Sequence, residues 1–141
     1  MELQVIKNNI FEIRGYRVMM DFYLSELYGV ETKVLNQAVR RNIQRFPDDF
    51  MFQLTKEEWE NLRSQFVTSS WGGSRYLPYA FTEQGVAMLS GVLRSPVAIE
   101  VNISIMRAFV MVRQFALEYS TLKQQLDKFM MDTNTKFSEV Y

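Results

Sequence analysis

The densest group of side chains able to recognise another molecule lies in Thr32–Arg45, TKVLNQAVRRNIQR. Wound at about 100° per residue, the stretch divides into two sides. Val34, Leu35, Ala38, Val39 and Ile43 fall on one; Lys33, Asn36, Gln37, Arg40, Arg41 and Gln44 fall on the other. Asn42 sits among the apolar positions, and Arg45 lies at the helix end. The polar side holds three cations, three carboxamides and no carboxylate. A face kept for solubility mixes signs and pairs Glu with Lys four residues apart. Arg matches guanine O6 and N7, and Asn or Gln matches adenine N6 and N7, so this inventory suits readout of the major groove. An ordinary solvated helix that happens to be basic has the same composition, and the stretch alone leaves both readings open.

Other chemistry is poorly supplied. The chain has no cysteine and no histidine, which removes thiolate, imidazole, disulfides and the usual zinc ligands. Asp48-Asp49 is the nearest thing to a paired carboxylate, but it follows Pro47 in a turn, where Asp is favoured for turn geometry. Gly72-Gly73 lacks the flanking strand, helix and lysine of a phosphate-binding loop. Glu57, Glu58 and Glu60 read as first-turn acids placed by a helix dipole. No catalytic residue, cofactor, metal or small-molecule substrate is expected. The absence of cysteine fits a reducing, cytoplasmic setting.

The 141 residues suffice for one domain with a real core. Hydrophobic residues make up 48% and aromatic residues 14%, which marks a globular chain. Sixteen Lys and Arg balance sixteen Asp and Glu, so any electrostatic footprint must be a local patch. MELQVIKNNIFEI lacks a basic region followed by an apolar core, so no signal peptide is expected. The run Val97–Val112 is interrupted by Glu100, Asn102 and Arg107, which predicts a buried helix rather than a membrane span.

The basic stretch depends on neighbouring elements for its placement. Residues 3–7 and 10–20 read as strands, with turns at Lys7-Asn8-Asn9 and Arg14-Gly15. Asp21 is placed to cap a short helix, Phe22–Tyr28, which Gly29 ends. Val30-Glu31-Thr32 turns the chain and Thr32 caps the basic helix, a helix-turn-helix layout in which the first helix buttresses the second. Pro47 blocks continuation. Phe50–Leu54 reads as a strand, and Thr55 with Glu58 as a capping box opening Lys56–Phe66. Val67–Ser74 reads as a loop and Arg75–Phe81 as a second strand, an edge one because of Pro78. If the two strands pair, the loop lies like a wing beside DNA, with Ser74 and Arg75 as candidate phosphate contacts and Trp71 as a packing residue. Thr82 caps a helix to about Leu93, and Ser95-Pro96 opens another, with Ile99, Ile103, Met106, Val110 and Arg113 as its core-facing line. Beyond Tyr119, Leu122, Leu126, Phe129, Thr133 and Val140 approximate a four-three spacing that could zip against a second copy. A tail packed on its own domain is the alternative. The expected organisation is a domain over 1–116 and a helical extension over 117–141. The pattern is still helical at Tyr141, so a longer protein is expected to continue beyond it.

Four runs together resemble a known family: IRGYRVMMD at 13–21, LSELYGVETK at 24–33, LNQAVRRN at 35–42 and RFPDDFMFQL at 45–54. LPYAFTEQGVAML at 77–89 fits it too. They are similar to the phage ORF-six N-terminal domain family, a relative of the KilA-N and Bro-N domains, across roughly residues 10–113. The resemblance implies an α+β DNA-binding domain of phage and bacterial regulatory proteins, often with a different C-terminal domain attached. The expected fold is thus α+β: a small antiparallel sheet, a helix-turn-helix-like element and long C-terminal helices. The expected function is sequence-specific binding of double-stranded DNA by a regulator acting as a homodimer through its C-terminal helix. Arg40, Arg41, Asn36 and Gln37 would face base edges, and Lys33, Gln44 and Arg45 would hold phosphates. The competing expectation is a protein-interaction module of antirepressor or antitoxin kind.

Overall fold

The structure is a computed structural model. It describes residues 2–65, 76–93 and 96–140, with side chains as far as Thr133 at the C-terminal end. The described chain runs α1 (Leu3–Lys7), β1 (Phe11–Ile13), β2 (Tyr16–Met20), α2 (Asp21–Tyr28), α3 (Thr32–Arg41), β3 (Met51–Gln53), α4 (Lys56–Gln65), β4 (Tyr79–Thr82), α5 (Glu83–Val92) and α6 (Pro96–Val140). A short 3-10 turn, Ile43–Arg45, follows α3. The α+β class is as expected.

The four strands form one antiparallel sheet in the order β1-β2-β4-β3. Arg14-Gly15 turns β1 into β2 with both φ angles positive, 57° and 79°, which suits the right-handed twist of a tight hairpin. Alternate residues point to opposite faces. Val18, Met20, Phe52 and Ala80 meet Trp59 and Leu62 of α4 on one side. Met19, Met51 and Phe81 face the other helices on the second side. Both faces are covered, so Val18, Met19 and Met20 of β2 and Ala80 and Phe81 of β4 form consecutive apolar runs.

Several sequence expectations are corrected. Residues 3–7 are a helix, not a strand, because Ile6 is swallowed by the core beside α6 rather than by a sheet. β4 is central, not an edge; Pro78 precedes it, and its carbonyl accepts from the Leu54 N–H at 3.0 Å. The paired β3 and β4 are as expected, and residues 66–75, with the loop, Trp71, Ser74 and Arg75, lie outside the described residues.

The core line of α6 is also shifted. Ala98, Val101, Asn102, Ile105, Ala108 and Phe109 are buried, whereas Ile99, Ile103, Val110 and Arg113 are exposed and Met106 is half-buried. The helix carries apolar residues on several sides, so periodicity alone fits two phases. Small Ala98 and Ala108 let neighbouring elements approach, and Asn102 accepts a hydrogen bond from the Tyr28 hydroxyl. Among the described residues no helix is long and apolar enough to cross a membrane.

Candidate nucleic-acid interface

The site begins with how α3 is held. α2 ends at Gly29, whose φ of 70° only glycine adopts cheaply. The Val30 N–H reaches the Ser25 carbonyl at 3.0 Å and the Gly29 N–H reaches the Glu26 carbonyl at 3.2 Å, a Schellman closure that sharply redirects the chain. Two polar bridges then tie α2 to α3. The Ser25 and Thr32 hydroxyls meet at 2.8 Å, and the Asn36 amide donates to Asp21 Oδ2 at 3.0 Å. Leu35 and Val39 are buried beneath.

Three local expectations change. Asp21 is the first residue of α2 rather than its cap; its Oδ1 accepts from the Phe22 N–H at 2.7 Å. Thr32 does not cap α3, since its hydroxyl is turned toward Ser25 and Glu31 holds the cap position without a side-chain bond. The α-helix stops at Arg41 instead of Arg45. The Asn42 amide donates to the Ala38 carbonyl at 2.9 Å, the helix closes there, and the chain tightens into the 3-10 turn.

Asp21 is the electrostatic anchor. It is fully buried, and burial pushes its carboxyl above the ordinary carboxylate range. Hydrogen bonds from Asn36, from the Tyr79 and Phe22 backbone and from the Tyr76 side chain oppose that shift. Burial, and then the charge of Asp21, push the Tyr76 hydroxyl up to about 12.

Lys33, Gln37, Arg40 and Arg41 stand exposed on the outer face of α3. Asn36 is at the margin, half-buried, with one amide hydrogen committed to Asp21. Gln44 and Arg45 are exposed on the 3-10 turn, off the helix axis, and the Arg45 guanidinium lies beside Gly91 of α5. Along the chain, the carboxylates nearest this stretch are Glu31 before the helix and Asp48-Asp49 after the turn. Val34 and Ile43, expected in the core, are exposed. Their place at the edges of the apolar arc was the available signal. Ile43 also lines a shallow pocket of about 100 Å³ with Asn36, Val39, Arg40, Met51 and Tyr79. Together these residues place three exposed cations, an exposed carboxamide and apolar surface along one side of α3.

The architecture is thus that of an α+β domain in which a second helix and a sheet back a cationic helix. The model of the ORF6N domain matches residues 8–92, more than half of the chain, and the chain belongs to that family. No curated protein and no solved structure matches the chain.

Proposed function

We propose that this chain is a sequence-specific double-stranded DNA-binding domain of a prophage-type or transcriptional regulator, with α3 entering the major groove. The reading rests above all on the outer face of α3, where Lys33, Gln37, Arg40 and Arg41 are exposed without a carboxylate among them. Membership of the ORF6N family supports it. Arg40, Arg41 and Gln37 meet base edges, joined by the free edge of Asn36; Lys33, Gln44 and Arg45 hold phosphates. Val34 adds an apolar surface suited to a thymine methyl. The protein acts without catalysis or cofactor, in the cytoplasm, as a pair of chains joined through α6.

Arg40→Ala combined with Arg41→Ala tests the reading. Both side chains are exposed, so the fold survives. The double variant should lose duplex binding in a gel-shift or anisotropy titration while its urea unfolding midpoint stays put. Binding equal to the parent's rejects the assignment. The second reading, an interaction module for another protein, draws on the exposed apolar line Ile99, Ile103 and Val110. Complete failure to bind random duplex DNA at low salt would favour it.

A further inference from the structure

One unbroken alternation of three and four residues runs the described length of α6: Ala98, Val101, Ile105, Ala108, Val112, Phe115, Tyr119, Leu122, Leu126, Phe129, Thr133. Its two halves have different fates. Ala98, Val101, Ile105 and Ala108 are buried in the core, packed with α1, α2 and α5. From Phe115 to Phe129 the same line is exposed: Leu122 is 64% exposed and Phe129 67%. The hand-over is marked by Lys7, whose ammonium sits 4.5 Å from the centre of the Phe115 ring. A line of large apolar residues at this spacing is the seam of a coiled coil, with Tyr119, Leu126 and Thr133 at a and Phe115, Leu122 and Phe129 at d.

The geometry points to a second copy of this chain as the occupant, aligned parallel and in register over Phe115–Thr133. Charge decides the direction. In a parallel pair each g residue faces the e residue five positions on in the other helix, which sets Glu118 against the partner's Lys123, twice by symmetry. An antiparallel pair over the same span matches e with e and g with g. It would set Lys123 against the partner's Lys123 and Glu118 against the partner's Asp132, all repulsive. Parallel alignment also places both folded domains at the same end of the stalk, so that two α3 faces can meet one duplex. This specifies the pairing named under the proposed function and does not depend on DNA being the ligand.

The test therefore omits DNA and uses the whole chain. The parent should sediment as a dimer at micromolar concentration, and Leu126→Asp, at an exposed position, as a folded monomer. Glu118→Lys should weaken self-association by about tenfold, and adding Lys123→Glu should restore it. The chain has no native cysteine, so single cysteines report direction cleanly. Leu122→Cys and Thr133→Cys should each oxidise to a symmetric disulfide dimer. An antiparallel pair can self-link at one of these positions at most. A parent that stays monomeric, one cysteine variant that fails to link, or a charge swap that does not restore pairing would each overturn the inference, whether or not the protein binds DNA.

Discussion

Arg14 shows how a single side chain can compensate for a costly backbone. Its φ of 57° is unfavourable for any residue but glycine. The guanidinium offsets that cost by pairing with both Glu58 oxygens at 2.7 and 2.8 Å, donating to the Gln53 carbonyl at 3.2 Å and stacking 4.3 Å above the Phe52 ring. The Arg14 guanidinium, through that hydrogen-bonded pair, holds the Glu58 carboxyl well down, to about 2 from an ordinary 4.5. A depressed acid stabilises the fold above its unfolded-state value and ceases to as pH falls through the folded one. The parent should thus lose stability between pH 4.5 and 2 more steeply than Glu58→Gln, compared by urea unfolding across that window. Parallel pH curves would deny the coupling. Asn36 ties α3 to the buried Asp21. Its removal takes one donor from a fully buried carboxylate, so Asn36→Ala should cost about 1–2 kcal/mol in urea unfolding. An unchanged midpoint would mean that the tether between α2 and α3 carries no stability.

Among the elements, α5 is placed by its own N-terminus. Thr82 caps it, its oxygen accepting from the Gly85 N–H at 3.3 Å while its hydroxyl donates to the Asp49 carbonyl at 2.9 Å. The helix then passes so close to the turn before β3 that a Cβ on Gly85 would stand 2.0 Å from the Phe50 carbonyl oxygen. Neither backbone can yield, so Gly85→Ala should destabilise by about 3 kcal/mol. Gly91 on the same helix would meet the far end of the Arg45 side chain at 3.1 Å, which can swing away. Gly91→Ala should be near neutral or gain up to about 1 kcal/mol of helix propensity. Thermal unfolding of the two variants side by side checks the contrast, and equal effects would contradict the close approach. At α4 the reciprocal cap is complete: the Thr55 N–H reaches Glu58 at 2.8 Å and the Glu58 N–H reaches Thr55 Oγ1 at 3.2 Å.

The molecule as a whole carries no net charge, so the proposed duplex binding has to draw on local geometry rather than on total charge. Two paired chains presenting about four cations each should give a salt dependence of duplex binding with a log–log slope on the order of −5 to −7. If α6 pairs two chains as proposed, Leu126→Asp should separate them and cut that slope to roughly half. Titration of one duplex between low and moderate salt measures both slopes. A slope near zero for the parent would exclude phosphate contacts as the basis of binding.

How much was legible in the chain follows from how local each signal is. The Arg14-Gly15 turn, the Gly29 helix end, the Thr55–Glu58 box and the Thr82 cap each lie within a few residues, and each is legible in the sequence alone. So is the cationic face of α3, because helical spacing alone sorts Lys33, Gln37, Arg40 and Arg41 to one side. These local signatures, the α+β class and the family are therefore legible in the residues alone. The folded arrangement was needed to see that Leu3–Lys7 is a helix, that β4 lies inside the sheet, that Asn36 answers to Asp21, and which phase of α6 is buried. Each of those depends on partners distant along the chain, and an apolar pattern says that a face will be covered without saying by what.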